Sequence, residues 1–438
     1  MAFDLDPDQY RIFKWRTTEE GLGTVIGPPG SGKTTTGSMI AVSLVAEGRA
    51  NRMLLAAYTN AAADQFCWEL NQILGTPAAN NLCIRTGNYS AVNNQLPIKF
   101  STDIKTIREK KIVVCTILSL KHIENTLNFD HIIIDEAGIT RPEHLLIPLE
   151  LGLNSMALSE HPTINSNNID DPLDLLREFQ LPATIIGDPK QSKPISPMQY
   201  DRSAIDWARR KTKTDILKTT HRLPDTLAEL VDKFAGYEGL RSSPDVASRR
   251  LSLKVSPNYD LKEIIKPETV TTFVDINGPE REAGASSWEN DTEAKACVKI
   301  CKELNRINPS LSIAIVTRYT EQQAKISSYI QRMGYQNVRV VTTSAALGTE
   351  ADVVLFSLTR NNSDQIIGAA GGLEDLNVGI SRSKYKLIML GNFDMLLNGW
   401  TYIPTTNRYG RKSPGRTLGK LIEQKYGEII QAPQTLLS

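Results

Sequence analysis

A short stretch near the N-terminus has the composition of a phosphate-binding loop. Residues 27–36 read GPPGSGKTTT and match the pattern G-x-x-x-x-G-K-[ST] in full. The stretch follows an apolar, strand-like run and opens a helix-like run, which is the context that this pattern requires. Its glycines let backbone N–H groups curl around phosphate oxygens, and the helix N-terminus adds its dipole. We therefore expect nucleotide contacts along the loop at Gly27, Pro28, Pro29, Gly30, Ser31, Gly32, Lys33, Thr34 and Thr35.

The side chains that carry chemistry in such a site are a lysine, a hydroxyl and two carboxylates. Lys33 would reach the β- and γ-phosphates, and Thr34 would offer its hydroxyl to Mg²⁺. The run IIIDEAG, residues 132–138, ends a β-branched strand with two adjacent carboxylates. Asp135 fits the role of holding Mg²⁺, and Glu136 fits a general base that orients the attacking water. The pattern predicts ATP and Mg²⁺ as cofactors.

Another polar loop, IIGDPKQ at residues 185–191, follows a further apolar run. Loops at the carboxyl ends of parallel strands face the ligand crevice, so Gln191 could hydrogen-bond the γ-phosphate or the attacking water. By itself the sequence GDPKQ is more typical of a plain turn, and this alternative stays open.

Charge on a transferring phosphoryl group favours an arginine, which can be worth roughly 10³–10⁵ in rate. The candidates are Arg222 in TTHRLP, Arg318 in VTRYT and Arg382 in GISRS. Taken alone, Arg382 is typical of a surface charge. Taken with Lys33 and Asp135, it is a candidate for the arginine charge that the phosphate site around these two residues lacks.

The elements that must position these residues alternate between short apolar runs and helix-like stretches. This alternation predicts an α/β fold with parallel sheets. Strand-like runs lie at 23–27, 52–58, 111–115, 131–135 and 183–188, and again at 269–276, 311–317, 338–343, 352–358 and 385–391. We expect a first domain over residues 1–222, a second over 223–405 and a basic C-terminal tail over 406–438. Polar stretches at about 75–110 and 154–182 are expected to be small insertions in the first domain.

Composition narrows the class of protein. The 438 residues are 40% hydrophobic and 23% charged with a net charge of +1, as in an ordinary globular protein, and the charge neither demands nor excludes nucleic acid. No run of 18 apolar residues exists and the N-terminus lacks an apolar targeting segment, so we expect an intracellular protein, cytoplasmic or nuclear, with no membrane partner and no secretion. The five cysteines lack metal-ligand spacing, which favours a reducing compartment without structural zinc.

In order along the chain, the motifs resemble those of superfamily 1 helicases. The segments are LDPDQ, the phosphate loop, AAYTNAAADQF, VVCTILSL, DEAG, GDPKQ, TTHRLP, VTRYTEQQ, VTTSAALGTEADVVLFSLTR and LNVGISRSKYKLIMLGN. The last two are similar to the branch of the up-frameshift, nonsense-decay helicase (superfamily 1B). The resemblance implies two tandem RecA-like domains with ATP hydrolysed in the cleft between them. It also implies movement along single-stranded DNA or RNA, 5′ to 3′.

The resemblance also implies roles for matching positions. Gln9 would read the adenine, Tyr319 would stack near the base and Glu350 would contact the ribose or nearby groups. Gln191, Arg222 and Arg382 would sense or stabilise the γ-phosphate. The positions where such proteins grip the nucleic-acid backbone are Thr59, Asn60, Thr116, Thr342 and Thr343.

Departures from the family pattern leave more than one function open. The usual proline before the tyrosine of VTRYT is Arg318, and no cysteine/histidine-rich domain is present. The chain is therefore also compatible with an ATP-gated nucleic-acid clamp or ribonucleoprotein remodeller that does not unwind processively. A small-molecule ATPase or kinase and a 3′ to 5′ repair-type motor stay compatible with the sequence as well. We expect a monomer acting on single-stranded or tailed nucleic acid, with a replication or RNA-processing protein as a compatible partner.

Overall fold

The computed structural model describes residues 4–437 except 20, 89–91, 94, 123–126, 157–181, 195–201, 285–286, 347, 404–407 and 411–412. The chain divides into two compact units. The first comprises residues 1–189 and 193–219, and the second comprises residues 190–192 and 220–438.

The first unit is built on a sheet whose strands all run parallel. Its strands are β1 (Leu22–Ile26), β2 (Met53–Ala57), β3 (Cys83–Arg85), β4 (Ile112–Thr116), β5 (His131–Asp135), β6 (Ala183–Gly187) and β7 (Lys213–Ile216). Its helices are α1 (Pro7–Thr18), α2 (Lys33–Ala46), α3 (Asn60–Leu74), α4 (Thr76–Leu82), α5 (Ile104–Arg108), α6 (Leu146–Met156) and α7 (Ala204–Lys211). The strand order is β3-β4-β2-β5-β6-β1-β7.

The second unit repeats this architecture around another parallel sheet. Short paired strands are β8 (Thr219–Thr220), β9 (Arg241–Ser242), β11 (Arg281–Glu282), β12 (Trp288–Glu289), β17 (Thr401–Ile403) and β18 (Arg408–Gly410). The strands of the main sheet are β10 (Thr271–Asp275), β13 (Ile313–Thr317), β14 (Val338–Thr342), β15 (Ala351–Ser357), β16 (Ser383–Gly391) and β19 (Glu428–Gln431). Their order is β14-β13-β15-β16-β10-β19. The helices are α8 (Asp225–Ala235), α9 (Pro244–Ala247), α10 (Lys262–Ile265), α11 (Asp291–Ile307), α12 (Thr320–Gln331), α13 (Leu373–Ile380), α14 (Phe393–Asn398), α15 (Pro414–Leu421) and α16 (Gln434–Leu437).

The central strands of both sheets are buried on both faces, as their apolar runs predict. Core clusters lie on each face of each sheet, with Leu54 and Leu55 of β2 pointing to opposite faces of the first sheet. The predicted α/β class with parallel sheets is confirmed. The predicted strand-like runs match the observed strands, with ends that differ by up to two residues.

Two edge strands and the boundary between the units differ from the sequence-based expectation. The polar stretch 75–110 contains β3, whose buried Cys83 and Ile84 extend the first sheet, so part of it belongs to the core of that unit. The segment expected as a tail contributes β19 to the second sheet beside β10. The boundary between units falls after Thr219 instead of 222. A three- or four-residue strand is too short for periodicity to distinguish from a loop, which explains the first two differences.

Most of the expected insertion at 154–182 lies outside the described residues. In the part of the chain that is described, no helix has the length and apolar character needed to cross a bilayer.

Candidate functional site: a phosphate-binding loop with paired carboxylates

The carboxyl ends of five parallel strands meet along one edge of the first sheet. The strand register pairs Ala57 of β2 with both Thr116 of β4 and Asp135 of β5, and it pairs Ile26 of β1 with Gly187 of β6. Each of these strands is followed by a loop that sequence analysis singled out. Because a parallel sheet aligns these ends, motifs that are far apart in sequence converge on one edge.

The phosphate loop wraps around the side chain of its own lysine. Lys33 Nζ donates to the carbonyl oxygens of Gly27 at 2.6 Å and Pro28 at 3.3 Å. A Cβ atom on Gly27 would lie 2.0 Å from Lys33 Cγ, so only glycine leaves room for the lysine there. Gly30 and Gly32 adopt left-handed φ angles of 71° and 74°, which glycine adopts without strain. Backbone carbonyl oxygens of the phosphate loop thus hold the ammonium group of Lys33 inside the loop.

The hydroxyl and carboxylate expected to hold Mg²⁺ lie together. Thr34 Oγ1 donates to Asp135 Oδ2 at 2.8 Å, and Asp135 Oδ1 accepts the N–H of Glu136 at 2.7 Å. Both groups are oxygen donors of the kind that Mg²⁺ prefers. Among the described residues, no three His, Cys, Asp or Glu side chains cluster as a metal site. Thr34 and Asp135 are the residues that would hold a Mg²⁺ ion here.

Glu136 has an unusual backbone and an unusual environment. Its φ of 58° lies in the left-handed region, which costs a non-glycine residue about 1–3 kcal/mol and is concentrated at functional sites. Burial, reinforced by the neighbouring Asp135 charge, raises the pKa of Glu136 to about 7, against the opposing effect of hydrogen bonds from Thr59. A carboxyl whose pKa lies near neutral pH is well suited to accept a proton from water.

Close backbone packing fixes the loop that carries the two carboxylates. Ala137 N–H donates to the carbonyl of Ile186 at 3.0 Å. A Cβ atom on Gly138 would lie 2.4 Å from the carbonyl oxygen of Asp188, and one on Gly187 would lie 2.8 Å from the Gly138 nitrogen. The glycines of DEAG and GDPKQ are therefore required by the contact between these two loops.

Several residues of the first domain that were predicted to contact nucleotide or nucleic acid form hydrogen bonds within the protein. Gln9 Nε2 donates to the Ser31 carbonyl at 3.3 Å and so packs on the phosphate loop, and Thr35 donates to Glu69 at 2.9 Å. The Thr116 and Ser119 hydroxyls lie 2.6 Å apart. Gln191 lies in the segment 190–192, which groups with the second unit. Their ligand roles stay predictions.

Thr59 and Asn60 lie together at the start of α3. Thr59 Oγ1 and its backbone N–H both donate to Glu136 Oε2, at 2.7 and 3.2 Å. Asn60 Oδ1 accepts from Arg85 Nη2 at 2.9 Å, and Arg85 Nε pairs with Asp64 Oδ1 at 2.9 Å. Sequence analysis missed Arg85, which is fully buried. A charged residue inside the short apolar strand CIR was the signal that could have found it, because a buried charge needs partners.

The second unit brings three predicted nucleotide residues together at the amino-terminal edge of its sheet. Arg222 Nε donates to Glu350 Oε2 at 3.1 Å, and Arg222 Nη1 donates to the Ser381 carbonyl at 3.2 Å. Arg382 is 2% exposed, its Nε donates to the Val378 carbonyl at 3.2 Å, and its own carbonyl accepts from Ala351. Glu350 and Arg382 directly precede β15 and β16, which are neighbours in the sheet. The aligned starts of these parallel strands therefore bring the two residues close together.

The remaining predicted residues of the second unit lie at the opposite, carboxyl edge. Tyr319 follows β13 and is 6% exposed, with its ring packed edge-on against Trp288 at 5.3 Å. Thr343 is fully buried and donates to Asp375, whereas Thr342 is half-buried. The five residues of a strand span about 17 Å. Tyr319 and Arg382 are therefore separated by the length of the sheet, and the structure gives Tyr319 a packing role beside its predicted one.

Comparisons with known proteins agree with these motifs. One family model described as an AAA domain matches residues 13–146, and another with the same description matches residues 200–394. The ATP-dependent helicase NAM7 of Saccharomyces cerevisiae is 24% identical over 425 residues, covering 85% of this chain and 40% of NAM7. The DNA replication ATP-dependent helicase/nuclease dna2 of Schizosaccharomyces pombe is 24% identical over 422 residues, covering 90% of this chain and 28% of that protein. A solved complex of Arterivirus nonstructural protein 10 (helicase) with DNA is 15% identical, covers 88% of this chain and 64% of that chain, and has a TM-score of 0.43.

The parallel sheets and the phosphate loop define the chain as a P-loop nucleotide-binding protein. The matches confirm the resemblance predicted from the motifs: they support a superfamily 1 helicase of the up-frameshift-like branch. It spans well under half the length of these two curated relatives.

Proposed function

We propose that this protein is a nucleic-acid-dependent ATPase that moves along single-stranded DNA or RNA, in the 5′ to 3′ direction. The observation that carries the proposal is the convergence of Lys33, the Thr34–Asp135 pair and Glu136 on one edge of the first sheet. The part of the proposal that names nucleic acid as the track rests on the family relationship. An intracellular monomer acting on single-stranded or tailed substrates is part of this proposal.

Each residue of the phosphate site has a separate task in the proposed reaction. Lys33 neutralises charge on the β- and γ-phosphates, and Thr34 and Asp135 hold Mg²⁺, which stabilises the charge that develops on the phosphate oxygens. Glu136 orients the attacking water and accepts its proton. We propose that Arg382, with Arg222 and Gln191, supplies the remaining stabilisation of the γ-phosphate, as the family resemblance implies.

Lys33→Ala is expected to lower ATPase kcat/KM by about 10²–10³-fold or more, the loss expected when one preorganised donor is removed from a reacting site. The measurement is phosphate release at saturating Mg²⁺. Lys14→Ala, which removes an exposed lysine from α1, serves as the control for a general loss of charge. Normal turnover in Lys33→Ala would mean that the phosphate loop is not the hydrolytic site.

Nucleic acid is expected to stimulate the wild-type ATPase severalfold. The decisive assay compares single-stranded DNA and single-stranded RNA side by side, followed by unwinding of duplexes with 5′ or 3′ tails. A rate indifferent to both polymers would refute the motor proposal. Stimulation without unwinding would support an ATP-gated clamp or remodeller, and unwinding from 3′ tails would reverse the proposed direction.

A further inference from the structure

The catalytic base and the start of α3 share one hydroxyl group. Thr59 Oγ1 lies 2.7 Å from Glu136 Oε2, and the Thr59 backbone N–H donates to the same oxygen at 3.2 Å. The pairing of Ala57 with Asp135 places Thr59 and Glu136 just beyond the ends of neighbouring strands. Two donors on one carboxylate oxygen occupy its lone pairs and hold the carboxylate of Glu136 in one orientation.

The Thr59 hydroxyl has a single proton, so it can donate to one strong acceptor at a time. Its oxygen also accepts the N–H of Ala62 at 3.2 Å, which makes Thr59 the N-cap of the 15-residue helix α3. While the hydroxyl donates to Glu136, it is not available to a ligand. If a ligand oxygen takes this proton, Glu136 loses its shorter hydrogen bond.

The surroundings of Thr59 favour a phosphate oxygen as the competing acceptor. Thr59 and Asn60 are half-buried and Ala61 is exposed, so this turn is reachable from solvent. The positive end of the α3 dipole lies here, and the buried guanidinium of Arg85 holds the adjacent Asn60 side chain at 2.9 Å. Hydroxyl and amide side chains at such a position contact a nucleic-acid backbone without reading its sequence.

We propose that Thr59 is a positioning residue that restrains Glu136 until a backbone phosphate of the nucleic-acid track takes the Thr59 hydroxyl. This inference rests on the proposed function. It explains how binding at the start of α3 is transmitted to the catalytic base, because the two events compete for one proton. ATP turnover is therefore slow on the free protein and accelerates when the track is bound.

Thr59→Val tests the restraint, since valine has the shape of threonine and no hydroxyl. We expect the basal kcat to rise several-fold, up to about tenfold, which is the range for losing one hydrogen bond of typical net strength. The stimulated kcat should change less than twofold. The ratio of stimulated to basal rate should therefore fall several-fold, while the oligonucleotide concentration for half-maximal stimulation rises. KM for ATP should stay constant. Thr59→Ser, which keeps the hydroxyl, should restore wild-type values.

Ser203→Ala is the matched control. Ser203 is the N-cap of α7, and its hydroxyl both accepts the N–H of Asp206 at 3.4 Å and donates to the Asp206 carboxylate at 3.0 Å. Ser203→Ala therefore loses the same kind of cap in the same unit, but the hydrogen bonds it loses go to Asp206 and not to Glu136. Thr59→Gly is a second variant should valine prevent folding, because glycine at an N-cap costs little stability. Thermal melting establishes that each variant is folded.

The outcomes separate the two proposals. Wild-type ATPase that neither oligo(dT) nor oligo(U) stimulates would overturn the proposed function. A stimulated wild type together with an unchanged ratio in Thr59→Val would overturn the restraint alone. A lower basal rate in Thr59→Val would also overturn it, because Thr59 would then assist the base. A raised basal rate, absent in Ser203→Ala and reversed in Thr59→Ser, supports it.

Discussion

Glu136→Gln is expected to bind ATP with near wild-type affinity and to hydrolyse it about 10²–10⁴-fold more slowly, the usual contribution of a positioned general base. Glutamine has the size of glutamate, and its amide oxygen can still accept from Thr59, so the left-handed turn at φ 58° should persist. It cannot accept a proton from water at neutral pH. Single-turnover hydrolysis and binding of a fluorescent ATP analogue measure the two steps separately.

A nearby carboxylate provides the control for this substitution. Glu143 is exposed in the turn Pro142–Leu145 that follows the DEAG loop, and Glu143→Gln removes one negative charge without touching Glu136. It should retain wild-type turnover. Near-normal hydrolysis by Glu136→Gln would exclude Glu136 as the base and direct attention to another group that orients water.

Arg382→Ala is expected to keep ATP affinity within a few fold and to lose about 10³–10⁵-fold in turnover, the range for an arginine that stabilises a transferring phosphoryl group. The hydrogen bond from Nε to the Val378 carbonyl, together with the strand β16 that follows, gives the guanidinium a rigid base. An arginine that acts only in the transition state lowers kcat without raising KM. Steady-state ATPase kinetics with and without nucleic acid provide the measurement.

Because Arg382 is buried, its removal also tests folding. Lys386→Met removes another buried basic side chain, from the strand β16 that follows Arg382, and it should retain ATPase activity if it folds. Thermal melting of both variants separates a loss of stability from a loss of catalysis. If Arg382→Ala is folded and fully active, Arg222 or Arg318 carries the role, and the same kinetics on Arg222→Ala and Arg318→Ala will decide between them.

Much of the fold could be predicted because its strongest signals are contiguous. The run HIIID was predicted at 131–135 and is β5 with the same ends, and the phosphate loop enters α2 at Lys33 as its motif requires. The strands β3, β7 and β19 of the two main sheets were missed, since three or four residues are too few to show a period. All three lie at sheet edges, where the apolar signal is weakest.

The site was predicted in part. The structure brings Thr34 and Asp135 together, and Arg222, Glu350 and the backbone of Arg382 cluster in the second unit, while the ligand roles of these residues stay predictions. The burial of Tyr319 against Trp288 was not expected, because sequence shows a tyrosine beside a helix start and not the hairpin that packs on it.

By itself the sequence determined which residue types could carry out chemistry and how they are spaced: a lysine and hydroxyl in a glycine-rich loop, two adjacent carboxylates after a buried strand, and alternating elements that build parallel sheets. Each of these features is formed by residues that are adjacent in sequence, so it can be recognised before the tertiary structure is known. Only the tertiary structure decided that Thr59 holds the oxygen of Glu136 and that a buried Arg85 anchors Asn60. The physical reason is that these contacts depend on the order and register of strands, and a hydrogen bond between residues 77 positions apart leaves no local pattern.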